Sequence, residues 1–342
     1  MQLKPIEDQV VAVVGAASGI GRETAIRFAR RGAVVHVFDI DAHGLDTLAA
    51  YLKSDGHAIR TAVGDVADSE ALRSFAGSVV DACGRLDTWV HCTGIGLYAT
   101  FRDTTMREFR RVIEVNLLGQ VHGADAALPH LLSNGGALIH VSSIEAIVAF
   151  PYHSAYAASK HGVHGFLQTL RVELRHDGVP VSVTEIMPAS INTPFFEKAM
   201  TKIGVKPKGV PPLYEPGDVA EAILYAAEHP TAQIIVGGAG KMALRTQRFT
   251  PGLMEAFSRR FGYALQRTNQ PKSADAPNDL FGAVGQYDTV RGTEGGLTFR
   301  HSLSTWLDTH PRVKRSAEIA ALGGIGALVA RRMRPRITAG KG

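Results

Sequence analysis

The chain has 342 residues, 45% of them hydrophobic and 20% charged, which is enough apolar material for a sizeable core and excludes a disordered or fibrous class. Its two cysteines, Cys83 and Cys92, have no paired spacing, which excludes a disulfide framework or a cysteine-built zinc site. The net charge of +5 is uneven: residues 1–240 hold 20 Lys+Arg against 25 Asp+Glu, and residues 241–342 hold 17 against 7.

That shift predicts a boundary, with a catalytic-sized unit over 1–240 and a basic extension over 241–342. The N-terminal residues Met1 to Asp8 contain no apolar core of a secretory signal, so a cytoplasmic setting is expected.

In chain order, Gln9 to Val14 is a short β-branched run. Gly15-Ala-Ala-Ser-Gly19-Ile-Gly21 follows, then a helical pattern through Ala25, Ile26, Phe28 and Ala29. Strand, glycine turn and helix is the context in which backbone N–H groups at a helix N-terminus receive a pyrophosphate. A second strand over 33–38 ends at Asp39, where a carboxylate accepts from the ribose hydroxyls of NAD and repels a 2′-phosphate. This favours NAD, while Arg22 beside the glycine turn leaves NADP open. Asp39 could equally serve as a cap of the following helix.

The alternation continues through a helix over 41–53, a strand over 58–63, a helix over 68–82 and a strand over 86–90. A long helical region over 105–132, a strand over 137–141, a sixth over 180–187 and a seventh over 233–236 complete the pattern. It predicts an α/β fold with a doubly wound, mostly parallel seven-stranded Rossmann-type sheet and helices on both faces. Gly15, Asp39, Asp65, Gly94, Ser143 and Pro188 all fall just past strand ends and therefore on one rim, where ligands bind in such sheets.

The stretch from Leu138 to Lys160 carries the chemistry. Its β-branched start gives out at Ser142-Ser143, and a helix follows with Val163, Phe166, Leu167, Leu170 and Leu174 on one stripe. Tyr156 and Lys160 lie one turn apart on that helix. A cation beside a phenol favours the phenolate and predicts a lowered Tyr156 pKa. Asn116, between Val115 and Leu117 in a helical run, reads either as a kink holding water or as a core amide satisfied by backbone.

With these residues assembled, the chain resembles the short-chain dehydrogenase/reductase family, in its non-extended branch, over about residues 8–240. The resemblance implies a catalytic set of Asn116, Ser143, Tyr156 and Lys160. In it, Tyr156 trades a proton with the substrate oxygen, Lys160 lowers its pKa and holds the nicotinamide ribose, Ser143 bonds the carbonyl, and Asn116 anchors a relay water. It also implies cofactor contacts from Gly15, Ala17, Ser18, Gly19, Ile20 and Gly21, then from Asp39, Asp65 and Val66. Further contacts fall on Cys92, Gly94, Tyr156 and Lys160, and finally on Pro188, Ile191 and Thr193. Val14 stands where the family has Thr, His91-Cys-Thr-Gly94 replaces Asn-Asn-Ala-Gly, and Pro188 to Thr193 departs from Pro-Gly-x-x-x-Thr.

The implied activity is the NAD(P)-dependent interconversion of a secondary alcohol and a ketone. A catalytically weak NAD-binding regulator or scaffold is the alternative. By the same analogy a homodimer or homotetramer is expected. The long segment between Pro188 and Pro216, with Phe195 and Phe196, reads as a lid. Together with Leu97, Tyr98, Phe101, Phe150 and Tyr152 it predicts an apolar substrate pocket. In the extension, Pro251 to Gln266 reads as helical, 267–300 as irregular or disordered, and 302–307 as a short helix. The apolar run over 317–330, followed by Arg331, Arg332, Arg334 and Arg336, is too short to span a bilayer, which takes about 20 residues. It reads as peripheral contact with an anionic membrane at the inner face, as a helix docked on the body or as a dimer contact, and resembles a tail seen in some bacterial relatives of about 330 residues. No nucleic-acid partner is expected, since the basic residues lack interleaved aromatics.

Overall fold

Seven parallel strands form one sheet: β1 (Val10–Val14), β2 (Val34–Asp39), β3 (Ile59–Val63), β4 (Thr88–His91), β5 (Gly136–Val141), β6 (Val181–Pro188) and β7 (Gln233–Val236). Their order across the sheet is β7-β6-β5-β4-β1-β2-β3. The computed structural model describes residues 1–293 and 296–316. The expected apolar helix over 317–330 and its membrane contact therefore lie outside the described residues.

The strands at the centre are buried along their whole length, β1, β5 and β6 without an exposed residue, which is why they read as continuous apolar runs rather than alternating ones. In β1, Val11 and Val13 pack with α1 (Gly19–Arg30), α2 (Ala42–Ser54) and a later helix over 216–228 on one face. Val10, Ala12 and Val14 pack with α3 (Ser69–Cys83) and the helices behind β4 and β5 on the other. Each fully buried leucine in these layers is worth about 2–5 kcal/mol against alanine.

Local chemistry sets the helix ends. The Asp41 side chain accepts from Gly44 N at the start of α2, and Asp68 accepts from Glu70 N and Ala71 N at the start of α3. α4 (Met106–Ile113) opens with a reciprocal capping box between Thr105 and Glu108.

The single helix expected over 105–132 is broken. A π-turn, Glu114–Leu118, separates α4 from α5 (Gly119–Asn134), and Asn116 sits in it, fully buried. π-turns inside helices concentrate at functional sites. α6 (Ser154–His176) carries Tyr156 and Lys160.

The lid segment is stitched down rather than free. It contains α7 (Phe195–Lys198) and three short strands. Met200–Thr201 pairs with Leu97–Tyr98, Val205–Pro207 with Arg267–Pro271, and Leu213–Tyr214 with Thr298–Phe299. Two of those partners belong to the extension, so the extension and the lid form one cover.

After α8 (Pro216–Glu228) and β7 come α9 (Gly238–Phe249), which sequence reading passed over, and α10 (Pro251–Phe257). A helix Leu303–Thr309 starts at Ser302, whose hydroxyl accepts from Thr305 N. The span over 267–300 has little regular structure, yet Leu280 is fully buried in the core beside α3 and α5. Among the described residues no helix is long and apolar enough to cross a membrane.

Candidate active site

All six rim residues stand where the strand pattern places them, at the carboxyl ends of β1 to β6. Glycine is required at the first turn. Gly15 has φ +81° and a Cβ there would lie 2.7 Å from Thr93 N, while a Cβ on Gly21 would lie 1.9 Å from Gly15 O. The turn thus folds tightly onto α1, whose N-cap Ser18 spends no side-chain bond on the first turn. Asp39 fixes this turn by accepting from Ala17 N at 2.9 Å and from Asp41 N at 3.0 Å. Burial pushes its carboxyl up from the usual range, and those two backbone bonds oppose the push. Arg22 is buried. Its guanidinium donates to Ala17 O, Gly44 O and Thr47 Oγ1.

Past β4, Asn116 reaches back to the loop. Its Oδ1 accepts from Ile95 N at 2.8 Å and its Nδ2 donates to Ile95 O at 3.0 Å, so the backbone-satisfied reading of this amide describes the fold. Gly94 lies between the site's polar groups: a Cβ on it would stand 3.6 Å from Lys160 Nζ and 3.9 Å from Asn116 Oδ1. Lys160 Nζ donates to Val141 O at 3.2 Å and lies 5.6 Å from the centre of the Tyr156 ring. Ser143 Oγ accepts from Glu145 N at 3.1 Å, and its side chain acts on the Tyr156 hydroxyl, drawing the phenol pKa down. The four residues of the implied catalytic set therefore converge.

The electrostatics differ from the expectation at one point. Burial, then the charge of Glu145, pushes the Tyr156 phenol up, and only the Ser143 bond pulls it down. Lys160 is not among the groups that shift it, and burial brings the Lys160 ammonium itself down to about 8. The folded chain thus holds a neutral phenol beside a weakened cation. The Cys92 thiol is pushed up to about 12 by burial and is no nucleophile.

The altered His91–Gly94 segment is steadied by residues that sequence reading did not single out. From α5, Gln120 Nε2 donates to Thr93 O at 3.2 Å, and His140 Nδ1 lies 2.6 Å from Gln120 Oε1. The His91 ring stacks on that of His140, 5.7 Å between centres, and burial keeps His140 neutral, its pKa brought down to about 3.

A cavity of about 500 Å³ opens from the catalytic residues. Ile20, Cys92, Gly94, Pro188, Ile191 and Thr193 line its inner end. Tyr98, Phe150, Phe195 and Phe196 form its walls as expected, joined by Ile144, Met242, Met254 and Phe257. Leu97 is instead buried in the core, Phe101 is exposed, and Tyr152 packs edge-on against Tyr263. Among the polar residues of this wall that were not singled out are Glu145 and His153. Both were visible as the charged and imidazole interruptions of an apolar run.

The extension follows the cofactor rim. Arg111 donates through Nε to Leu280 O at 3.0 Å and through Nη2 to Asp65 Oδ2 at 2.6 Å. Gly19 N donates to Thr289 O at 2.9 Å, and Gly292 N to Asn192 O at 3.2 Å. Val66 is buried in the same cluster as Leu280. Lys198 Nζ, from the lid, donates to Ser18 Oγ at 2.8 Å.

Glycine turn, terminal carboxylate and a Ser-Tyr-Lys cluster on one rim define a nucleotide-dependent oxidoreductase class. The family model described as short chain dehydrogenase matches residues 9–204, and the chain belongs to that family as an oxidoreductase. It is 33% identical over 326 residues to Uncharacterized oxidoreductase YxnA of Bacillus subtilis (strain 168), covering 94% of this chain and 91% of that one. A second relative, the (2S)-[(R)-hydroxy(phenyl)methyl]succinyl-CoA dehydrogenase subunit BbsD of Thauera aromatica, is 30% identical over 229 residues, 65% of this chain and 90% of that one. Among solved structures, a short chain dehydrogenase from Mycobacterium paratuberculosis bound to NAD superposes with a TM-score of 0.60. It is 27% identical and covers 68% of this chain and 97% of its own.

Proposed function

We propose that the chain interconverts a secondary alcohol and a ketone on an apolar small molecule, using NAD in preference to NADP. The observation that carries this reading is that Ser143, Tyr156 and Lys160 line one mostly apolar cavity, with the buried Asn116 amide and the Lys160 ammonium both close to Gly94. The glycine turn and the Asp39 carboxylate fit a dinucleotide, with Gly15, Ala17, Ser18, Gly19, Ile20 and Gly21 around its pyrophosphate, which would take the place of Thr289 O on Gly19 N. Asp39 would hold the ribose, Asp65 and Val66 the adenine, and Pro188, Ile191 and Thr193 the nicotinamide side. The NAD complex of the Mycobacterium paratuberculosis relative supports a nicotinamide cofactor, which when bound supplies or accepts the hydride.

In reduction, the Tyr156 hydroxyl gives its proton to the carbonyl oxygen, and Ser143 donates a hydrogen bond to that oxygen as charge develops on it. A phenol kept neutral by its surroundings suits this acid role. Lys160 holds the ribose hydroxyls and places its charge beside the phenolate left behind. Asn116 fixes the loop at Ile95, so that Gly94 stays open between Lys160 and the cavity. Asp39 favours NAD because a 2′-phosphate would face a carboxylate, and Arg22 is spent on backbone oxygens. A homodimer or homotetramer in the cytoplasm accompanies this reading by family analogy. The test is a panel of alcohols and ketones with both cofactors, followed by nicotinamide absorbance. Tyr156→Phe should abolish turnover while NADH still binds, and undiminished turnover defeats the assignment.

A further inference from the structure

We propose that the face formed by α9, α10 and the turn Ser258–Gly262 is a docking surface for an anionic membrane, placed at the mouth of the substrate cavity. Large apolar side chains are exposed along it: Met242 at 67%, Phe249 at 76% and Leu253 at 63%, with Phe257 and Phe261 also exposed. Met242, Leu253 and Phe257 also line the cavity, so the exposed apolar surface runs unbroken into the pocket. The Phe257 and Phe261 rings lie 5.5 Å apart. A contiguous exposed apolar face of this kind marks an interaction site.

Its charge selects the partner. Between residues 242 and 263 stand Arg245, Arg248, Arg259 and Arg260 against Glu255 alone, a balance of 4 − 1 = +3. All four arginines are exposed. Two of them lie against the apolar side chains themselves, Arg248 6.0 Å from the Phe249 ring and Arg260 5.1 Å from that of Phe261. Aromatic and aliphatic groups bordered by arginine are the composition of a helix that rests in a headgroup layer. Lys208, on the lid, adds a cation to the cavity wall.

The chain's own C-terminal residues carry Arg331, Arg332, Arg334 and Arg336, like in charge to this face, so charge does not draw them onto it. A second copy of the chain would likewise set arginine against arginine. An anionic lipid surface complements both the charge and the apolar groups. It also presents a hydrophobic substrate to the cavity directly. That last point rests on the proposed oxidoreductase reading; the docking itself does not.

The experiment is flotation of the full-length protein with vesicles of phosphatidylcholine, alone or with about a third phosphatidylglycerol. The wild-type chain should float with the anionic vesicles and remain at the bottom with neutral ones. Phe249→Ser with Phe261→Ser, and separately Arg248→Glu with Arg260→Glu, should each reduce the floated fraction at least tenfold. Neither pair should change the melting temperature or the turnover of a water-soluble ketone. A wild-type chain that stays at the bottom with both vesicles overturns the proposal. So do variants that float like wild type, and so does a loss of dimer mass by light scattering with flotation intact, which would make the face a subunit contact. Tyr156→Phe should float unchanged, so a chain that floats but turns nothing over sinks only the catalytic reading.

Discussion

Glu145 and His153 form a buried pair beside the Tyr156 phenol. His153 Nδ1 lies 2.8 and 2.9 Å from the two carboxylate oxygens of Glu145, and the His153 ring is 5.7 Å from that of Tyr156. With Nδ1 donating, the imidazole partly offsets a carboxylate that would otherwise face Tyr156 inside an apolar wall. The Glu145 charge raises the phenol pKa and supports the ammonium of Lys160. One carboxylate thus biases both catalytic groups toward their protonated forms.

Glu145→Gln should therefore speed alcohol oxidation at neutral pH by about three- to tenfold. Oxidation needs the base form of Tyr156, and removing the nearby negative charge lets its pKa fall. The rising limb of kcat/KM against pH for oxidation should move to lower pH. The variant keeps an acceptor for His153, so the stability loss should stay near 1–3 kcal/mol. An unmoved limb would show that the Glu145 charge does not reach Tyr156.

Lys160→Met should stabilise the fold at pH 7, and the gain should vanish toward pH 10.5. Burial brings the folded ammonium from its ordinary 10.5 down to about 8. The folded chain then binds fewer protons than the unfolded one between those values, and its stability rises with pH across that window. Below pH 8 the full penalty, on the order of 3 kcal/mol, is present; above 10.5 it is gone. Tyr156, whose pKa is raised, acts in the opposite sense and only above pH 10, so the comparison is of the difference between the two proteins. Urea unfolding from pH 7 to 10 measures it, and a constant difference contradicts the lowered value.

Asn116→Asp should destabilise more than Asn116→Ala. The amide meets both groups of Ile95, accepting its N–H and donating to its carbonyl. Alanine leaves both buried groups unpaired, at about 2–4 kcal/mol in total. Aspartate keeps the accepted bond but sets a second oxygen, and a buried charge, against Ile95 O. Thermal unfolding ranks the two variants. If aspartate proves the milder, the amide is not oriented as the bonds to Ile95 require.

How much of this was legible in sequence depends on the range of the interactions. The seven strands and the rim could be read because each depends on local pattern, as at Val10–Val14 followed by Gly15. Tyr156 and Lys160 sit one turn apart on one helix, which their spacing conveys, and the family resemblance singled out Ser143 beside them. A kink at Asn116 was legible as one of two readings, but its bond to Ile95, 21 residues away, was not. The Tyr156 pKa was read in the wrong direction, because a pair of residues conveys charge but not burial. The packing of the extension was hidden for a related reason. A polar, glycine-rich span shows no period of its own, and its contacts are backbone carbonyls such as that of Thr289.

Gly292→Ala should weaken NADH binding by about tenfold, about 1.4 kcal/mol, while leaving kcat at saturating cofactor nearly unchanged. Gly292 lies where the extension crosses the far side of the rim, and a Cβ on it would stand 2.5 Å from Thr193 O. Backbone must shift to make room, and two groups shift with it. One is Thr193, whose Cβ lies 3.3 Å from where a Cβ on Gly19 would stand. The other is the strap that holds Thr289 O on Gly19 N. Gly19 belongs to the glycine turn and Thr193 to the proposed nicotinamide side, and neither hydrogen-bonds Tyr156 or Ser143, so affinity should respond and the proton-transfer step should not. Fluorescence titration of NADH with steady-state kinetics separates the two. An unchanged dissociation constant would place the extension outside the cofactor's path, and a collapse of kcat would couple it to the catalytic residues instead.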